Sequence, residues 1–146
     1  MRMTTKDYLK GYRYLKIQIE TLEKRLEDVI KEIAALQAID YSKEKIQAPP
    51  QNDPIGELVI EAIKERSVLS MKILGCKAKK MLLENQIDQM REIDPKSYEI
   101  LVRVYITDEG YYKVRSSYEI ERSFYRDIKR AEKKFGQNFG ATYQNV

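Results

Sequence analysis

The chain of 146 residues contains no histidine and a single cysteine, Cys76. Histidine is the side chain best placed for proton transfer near neutral pH and the commonest metal ligand. Its absence removes Ser-His and Cys-His pairs and every imidazole metal site. One cysteine makes neither an internal disulfide nor a zinc site. Neither GxxxxGK[ST] nor GxGxxG occurs, so the two commonest nucleotide cradles are missing. Asp and Glu do not cluster at ligand spacing outside helical faces that charge would occupy anyway. These absences predict a protein that is not an enzyme and carries no metal or cofactor. No apolar run approaches the roughly 18 residues of a membrane span. The opening MRMTTKDYLK lacks the apolar stretch and small-residue cleavage site of a signal peptide. Together with the lone cysteine, this predicts a soluble, cytoplasmic protein with no membrane partner.

What is present is charge and helical periodicity. Charged residues make up 34% and hydrophobic residues 42%, a balance that suits helices with much solvated surface rather than a thick core. The net charge of +4 is concentrated. Residues 111–134 hold eight basic side chains against four acidic ones, so the remainder balances at 19 of each sign. A local basic excess of this kind is the electrostatic footprint of a nucleic-acid partner.

The order of signals predicts an all-α chain: a long antiparallel helical hairpin or coiled coil, then a C-terminal helix-turn-helix domain. The first helix covers residues 1–39, with Thr4 as cap and Asp7 in the first turn. Its apolar residues form two seven-residue series, Tyr8, Leu15, Leu22, Val29, Leu36 and Tyr12, Ile19, Leu26, Ile33. An internal hairpin and a homodimer through the N-terminal helices satisfy these heptads equally. Residues 40–53 contain Pro49-Pro50 and read as a linker. Asp53-Pro54 opens a second helix over residues 54–93. One of its stripes is Ile55, Val59, Ala62, Leu69, Ile73, Cys76, Leu83, Ile87 and Met90; another is Ile60, Ile63, Leu74, Ala78 and Met81. Two apolar faces imply two neighbours. Arg66 and Lys80 interrupt the first stripe, so part of it is expected to be exposed or to snorkel. Gly75 marks a kink or a close crossing.

Residues 94–136 read as the helix-turn-helix domain. Asp94-Pro95 repeats the cap-and-proline signal and opens a short helix carrying Tyr98, Leu101, Val102 and Tyr105. A turn at residues 107–110 precedes a helix over residues 111–117, with Tyr111 and Tyr112 as anchors. A break near residues 118–121 leads to a last helix ending at Phe135, where Gly136 is a natural stop. Residues 137–146 are expected to be a flexible tail.

The last helix has two opposed faces. Ile120, Phe124, Ile128, Ala131 and Phe135 fall on one side; Arg122, Arg126, Lys129 and Lys133 fall about 200° away at 100° per residue. A helix that buries one side and offers a cation row on the other suits the major groove of double-stranded DNA, with Arg able to pair bidentately with guanine. Ser123 and Tyr125, near the helix start, are candidates for a base edge or phosphate. Arg130 joins the cation set, and Lys113 and Arg115 on the preceding helix are placed to face the backbone.

The segment YYKVRSSYEIERSFYRDIKRAEKKF resembles the C-terminal part of phage-encoded late-gene transcriptional activators of the RinA and ArpU type. Lys113-Val114, Glu121-Arg122-Ser123, Phe124-Tyr125-Arg126 and Lys129-Arg130-Ala131 carry the likeness over about 25 residues. The family's plan of a helical N-terminal part, a Pro-rich linker, a long middle helix and a domain similar to sigma-factor region 4 is also matched. The resemblance implies sequence-specific DNA binding at a promoter and activation of phage packaging and morphogenesis genes; the helical N-terminal half is then expected to supply dimerisation or a contact to RNA polymerase in the bacterial host. One departure stands out: the family has Ser or Thr before Glu-Arg, and this chain has Ile120. The cap, worth about 1 kcal/mol, is then either lost or supplied by Ser116 or Ser117. The alternative functions are a small terminase subunit for DNA packaging and a helical adaptor that binds protein only.

Overall fold

In a computed structural model, which describes residues 3–42 and 53–144, every regular element among the described residues is helical. The elements are α1 (Thr5–Ser42), α2 (Pro54–Ile93), α3 (Pro95–Leu101), α4 (Gly110–Ser117) and α5 (Glu121–Phe139). α3 continues into a π-helical turn, Val102–Ile106, and α5 into a 3-10 turn, Gly140–Thr142. α1 begins where Thr4 Oγ1 accepts the Asp7 N–H at 3.2 Å, and α2 where Asp53 Oδ1 accepts the Gly56 N–H at 2.8 Å. These are side-chain caps on the first orphan donors. α1 runs beyond residue 39 to Ser42, and the predicted Pro49-Pro50 linker lies outside the described residues. None of the described helices is long and apolar enough to cross a membrane.

The chain divides into two compact units, one of residues 17–77 and one of residues 1–16 with 78–146. In the first, α1 and α2 pack antiparallel around Val29, Ile33, Ala62 and Leu69, with Leu22 and Leu26 against them. Arg25 pairs with Glu65 at 2.7 Å and Lys77 with Glu23 at 3.0 Å along the seam. Both N-terminal heptad series are at least half-buried, so they are used within the chain. Cys76 is half-buried against Gln18, its Sγ 3.7 Å from Oε1. Gly75 makes no close crossing: nothing lies within 4 Å of where its Cβ would sit.

The second unit corrects the predicted boundaries. Residues 94–136 do not form a core of their own. Leu9 and Tyr12 from α1 and Leu83, Ile87 and Met90 from α2 share one cluster with Ile100, Leu101, Val104, Val114, Phe124, Ile128 and Phe135. A domain of about forty residues buries too little surface to stand alone, and the two long helices supply the missing apolar area. Lys80 does snorkel here, lying over the Tyr12 ring and reaching Glu84 at 3.5 Å.

The C-terminus is also corrected. α5 does not stop at Gly136 but continues to Phe139, and Tyr143 is 2% exposed. A Cβ on Gly136 would sit 2.8 Å from Thr5 Oγ1, so the glycine lets α5 approach the start of α1 rather than ending a helix. Tyr143 stacks on Tyr8 with ring centroids 4.1 Å apart and its hydroxyl lies 2.7 Å from Thr5 Oγ1. The buried Gln86 accepts the Tyr8 hydroxyl at 2.6 Å and donates to Thr142 Oγ1 at 3.1 Å. The expected flexible tail is therefore, through Tyr143, part of the core.

Candidate nucleic-acid interface

The three short helices carry the candidate interface, and α1 sets the turn between two of them. At the end of the π-helical turn the Arg13 guanidinium donates to the carbonyls of Val104 (3.1 Å) and Thr107 (2.7 Å). Those are carbonyls that the widened turn leaves without helical partners. Gly110 opens α4 with φ +79°, and its missing side chain leaves room for that guanidinium, 3.1 Å from the Cβ position. α4 ends at Tyr118, whose hydroxyl donates to Asp127 at 3.0 Å across the break.

α5 starts at Ile120, with extended backbone (φ −119°, ψ 113°) and no side-chain cap. Ser116 and Ser117 do not replace it, because their hydroxyls donate back to the carbonyls of Tyr112 and Val114 in α4. The break is three residues, Tyr118, Glu119 and Ile120, between α4 and α5. Ile120 is 63% exposed and so leaves the buried stripe predicted for it, while Phe124, Ile128, Ala131 and Phe135 are buried. Phe124 is edge-on to Tyr111 and Tyr118, with centroids 5.0 and 5.4 Å away. Tyr111 anchors the pair of helices as expected. Tyr112 does not: it is exposed, and the Arg115 guanidinium lies over its ring at 5.2 Å.

The predicted site residues separate into a free row and a braced flank. Arg122, Arg126, Lys129 and Lys133 are all exposed on the side of α5 away from its buried stripe. At 1.5 Å per residue the row is about 16 Å long. Among the described residues Arg122, Lys129 and Lys133 have no ion pair, and Arg126 has only its exposed neighbour Asp127 at 3.6 Å. Lys113 on α4 is exposed and likewise has no ion pair. Arg115 is braced: it donates to the Tyr125 hydroxyl at 3.3 Å and lies 3.8 Å from Glu121. That hydrogen bond, more than the nearby charges, raises the arginine's pKa further. Arg115 and Tyr125 thus join α4 to α5 and fix their relative setting. Ser123 is half-buried beside the break, in an open depression with Ser117, Ile120 and Arg103.

Arg130 is drawn off the row by a residue that sequence reading placed only as a cap. Asp94 precedes α3 and makes no cap hydrogen bond. Its side chain, 8% exposed, accepts the Ser97 hydroxyl at 2.7 Å and pairs with Lys134 at 2.9 Å and Arg130 at 3.5 Å. The Ser97 and Lys134 hydrogen bonds, against the cost of burial, lower its pKa to about 2. On the opposite flank the buried Tyr105 donates to Glu132 at 2.6 Å, and burial first, then this bond, raises its pKa. α5 is therefore gripped on both sides, with the cation row between. The Asp94 signal was not legible as a brace because Asp-Pro is also the ordinary start of a helix.

No group of three or more Asp, Glu or Cys side chains suited to a metal occurs among the described residues. The cleft between α3 and α5 mixes Lys96, Arg103 and Arg130 with Glu99 and Asp127, so it has no dominant charge. No known family, curated protein or solved structure matches the chain.

Proposed function

We propose that α4, the three-residue break and α5 form a helix-turn-helix that binds double-stranded DNA sequence-specifically, with α5 as the recognition helix. The observation that carries this reading is the row Arg122, Arg126, Lys129 and Lys133, exposed and almost unpaired, opposite the buried stripe of Phe124, Ile128, Ala131 and Phe135. A helix of this width fits the roughly 12 Å major groove. Lys113, at the exposed side of α4, is a phosphate contact, since the first helix of such a pair crosses the backbone. Arg115, Tyr125 and Arg130 contribute mainly by holding the row in place. With the likeness of residues 111–135 to late-gene activators of the RinA and ArpU type, the protein is a phage transcriptional activator that works beside RNA polymerase in the host cytoplasm.

Binding to duplex DNA, followed by fluorescence anisotropy over a salt series, tests this. Arg126→Ala is expected to cost about 1–3 kcal/mol and to relax base preference, as for an arginine reading a base edge. Lys133→Ala is expected to weaken all sequences alike and to lower the salt slope by about one. Unchanged binding in both variants, or no salt-dependent binding at all, defeats the assignment.

A further inference from the structure

The first sixteen residues carry a second basic excess. Five basic side chains, Arg2, Lys6, Lys10, Arg13 and Lys16, stand there against the single acid Asp7. Outside these residues and residues 111–134 the chain is net negative, with 14 basic side chains against 18 acidic ones. The positive charge is therefore split between two segments far apart in the sequence, and both belong to the same compact unit.

Two contacts bring α1 to the edge of the cation row. Thr5 Oγ1 lies 2.8 Å from the Cβ position of Gly136. At 100° per residue Gly136 is 20° from Lys129, two turns further along α5, so the start of α1 abuts the C-terminal end of the row. The Lys6 ammonium lies over the Tyr111 ring of α4, 5.4 Å from its centroid. Lys6 thus stands beside both helices of the candidate pair. Lys10 follows one turn later, 40° round α1. Both lysines are exposed, and neither has an ion pair among the described residues. Arg13 is spent on the carbonyls of Val104 and Thr107. Asp7, 100° round from Lys6, is the one acid among these residues.

An isolated exposed lysine is simply solvated. Two that prolong a row of four, in a chain otherwise net negative, fit a polyanion wider than one helix. We propose that the first turns of α1 are a second contact to the same duplex, with Lys6 and Lys10 holding the phosphate backbone at the rim of the major groove that α5 enters. This contact rests on the helix-turn-helix reading above. In that arrangement the start of the recognition helix reaches the bases, and its far end lies towards the backbone. The start of α1 sits at that far end. A lysine there acts as a point charge on phosphate and carries no base preference.

Fluorescence anisotropy of the full chain on duplex DNA, over a salt series, tests it. Lys6→Gln and Lys10→Gln should each weaken binding about fivefold at roughly 0.1 M salt and lower the salt slope by about one, alike on every sequence. The double variant should lower the slope by about two. Lys6→Arg, which keeps the charge over Tyr111, should bind as the wild type does. Lys10 has no hydrogen bond, ion pair or ring contact to lose, so Lys10→Gln leaves the fold intact. Lys64→Gln makes the same change of charge on α2, in the other compact unit, and should leave affinity and slope as they are. If Lys133→Ala lowers the slope but Lys6→Gln and Lys10→Gln do not, the α1 contact is overturned while the recognition helix stands. Equal weakening by Lys64→Gln makes net charge the cause and overturns the contact too. A wild-type chain with no salt-dependent binding overturns the helix-turn-helix reading and this contact with it.

Discussion

Replacing Asp94 by Asn removes one negative charge and leaves an oxygen that still accepts from Ser97. The carboxylate is 8% exposed and lies 2.9 Å from Lys134 and 3.5 Å from Arg130. Its pKa falls from 3.8 to about 2. A group whose folded pKa lies below its unfolded value stabilises the fold above the unfolded pKa and loses that effect as pH falls through the folded one. The shift corresponds to about 2 kcal/mol at neutral pH, at about 1.4 kcal/mol per unit, and to about 0.4 kcal/mol remaining at pH 2. Lys134 and Arg130 reach solvent when the charge is gone, so the loss stays below the roughly 3–5 kcal/mol of a fully buried orphaned charge. Urea unfolding at a series of pH values checks this. The wild type and Asp94→Asn curves should differ by about 2 kcal/mol at pH 7 and converge between pH 4 and pH 2, the window set by the two pKa values. Equal stability at pH 7, or an offset that persists undiminished at pH 2, refutes the idea that charge at Asp94 braces α5.

Three further outcomes follow from the packing. Ile120→Ser should stabilise the fold by about 1 kcal/mol in thermal unfolding, because the helix start has no side-chain cap and the isoleucine is mostly exposed. Phe124→Ala should destabilise by about 3–5 kcal/mol, read from the denaturant midpoint, since its ring is fully buried between Tyr111 and Tyr118. Tyr143→Ala should lower stability by a similar amount and release Tyr8 and Thr5, visible as faster amide exchange at the start of α1; an unchanged exchange pattern there contradicts the docked C-terminus.

Periodicity made the long helices readable, because an unbroken repeat over many turns leaves few alternatives. The heptads from Tyr8 to Leu36, the Asp53-Pro54 start and the inner stripe of α2 all reappear in the packing. Periodicity says which face is covered, however, not by what. Tyr8 and Tyr12, which open the two heptad series, pack into the core of α3–α5 rather than only along the hairpin, and nothing in local spacing distinguishes these. Gly136 shows the same ambiguity: a glycine that ends a helix and one that admits a close neighbour look alike until Thr5 is found against it. In the candidate site, the cation row was legible from the opposed faces of α5. The pairing of Arg130 with Asp94 was not, because the two lie 36 positions apart along the chain.

The Thr5–Tyr143 contact joins residues 138 positions apart. Closing a loop of that length costs only about 1 kcal/mol more than closing one of 40 residues. The consequence is kinetic rather than energetic. The core that supports α5 draws on both α1 and Tyr143, so a growing polypeptide holds α1 in waiting until that ring arrives. A fragment starting at residue 94 lacks Leu9, Tyr12, Leu83, Ile87, Met90 and the Arg13 clamp. It would therefore present the cation row on a helix whose core has lost five apolar members, and trimming the protein down to its basic end would weaken the surface it set out to isolate.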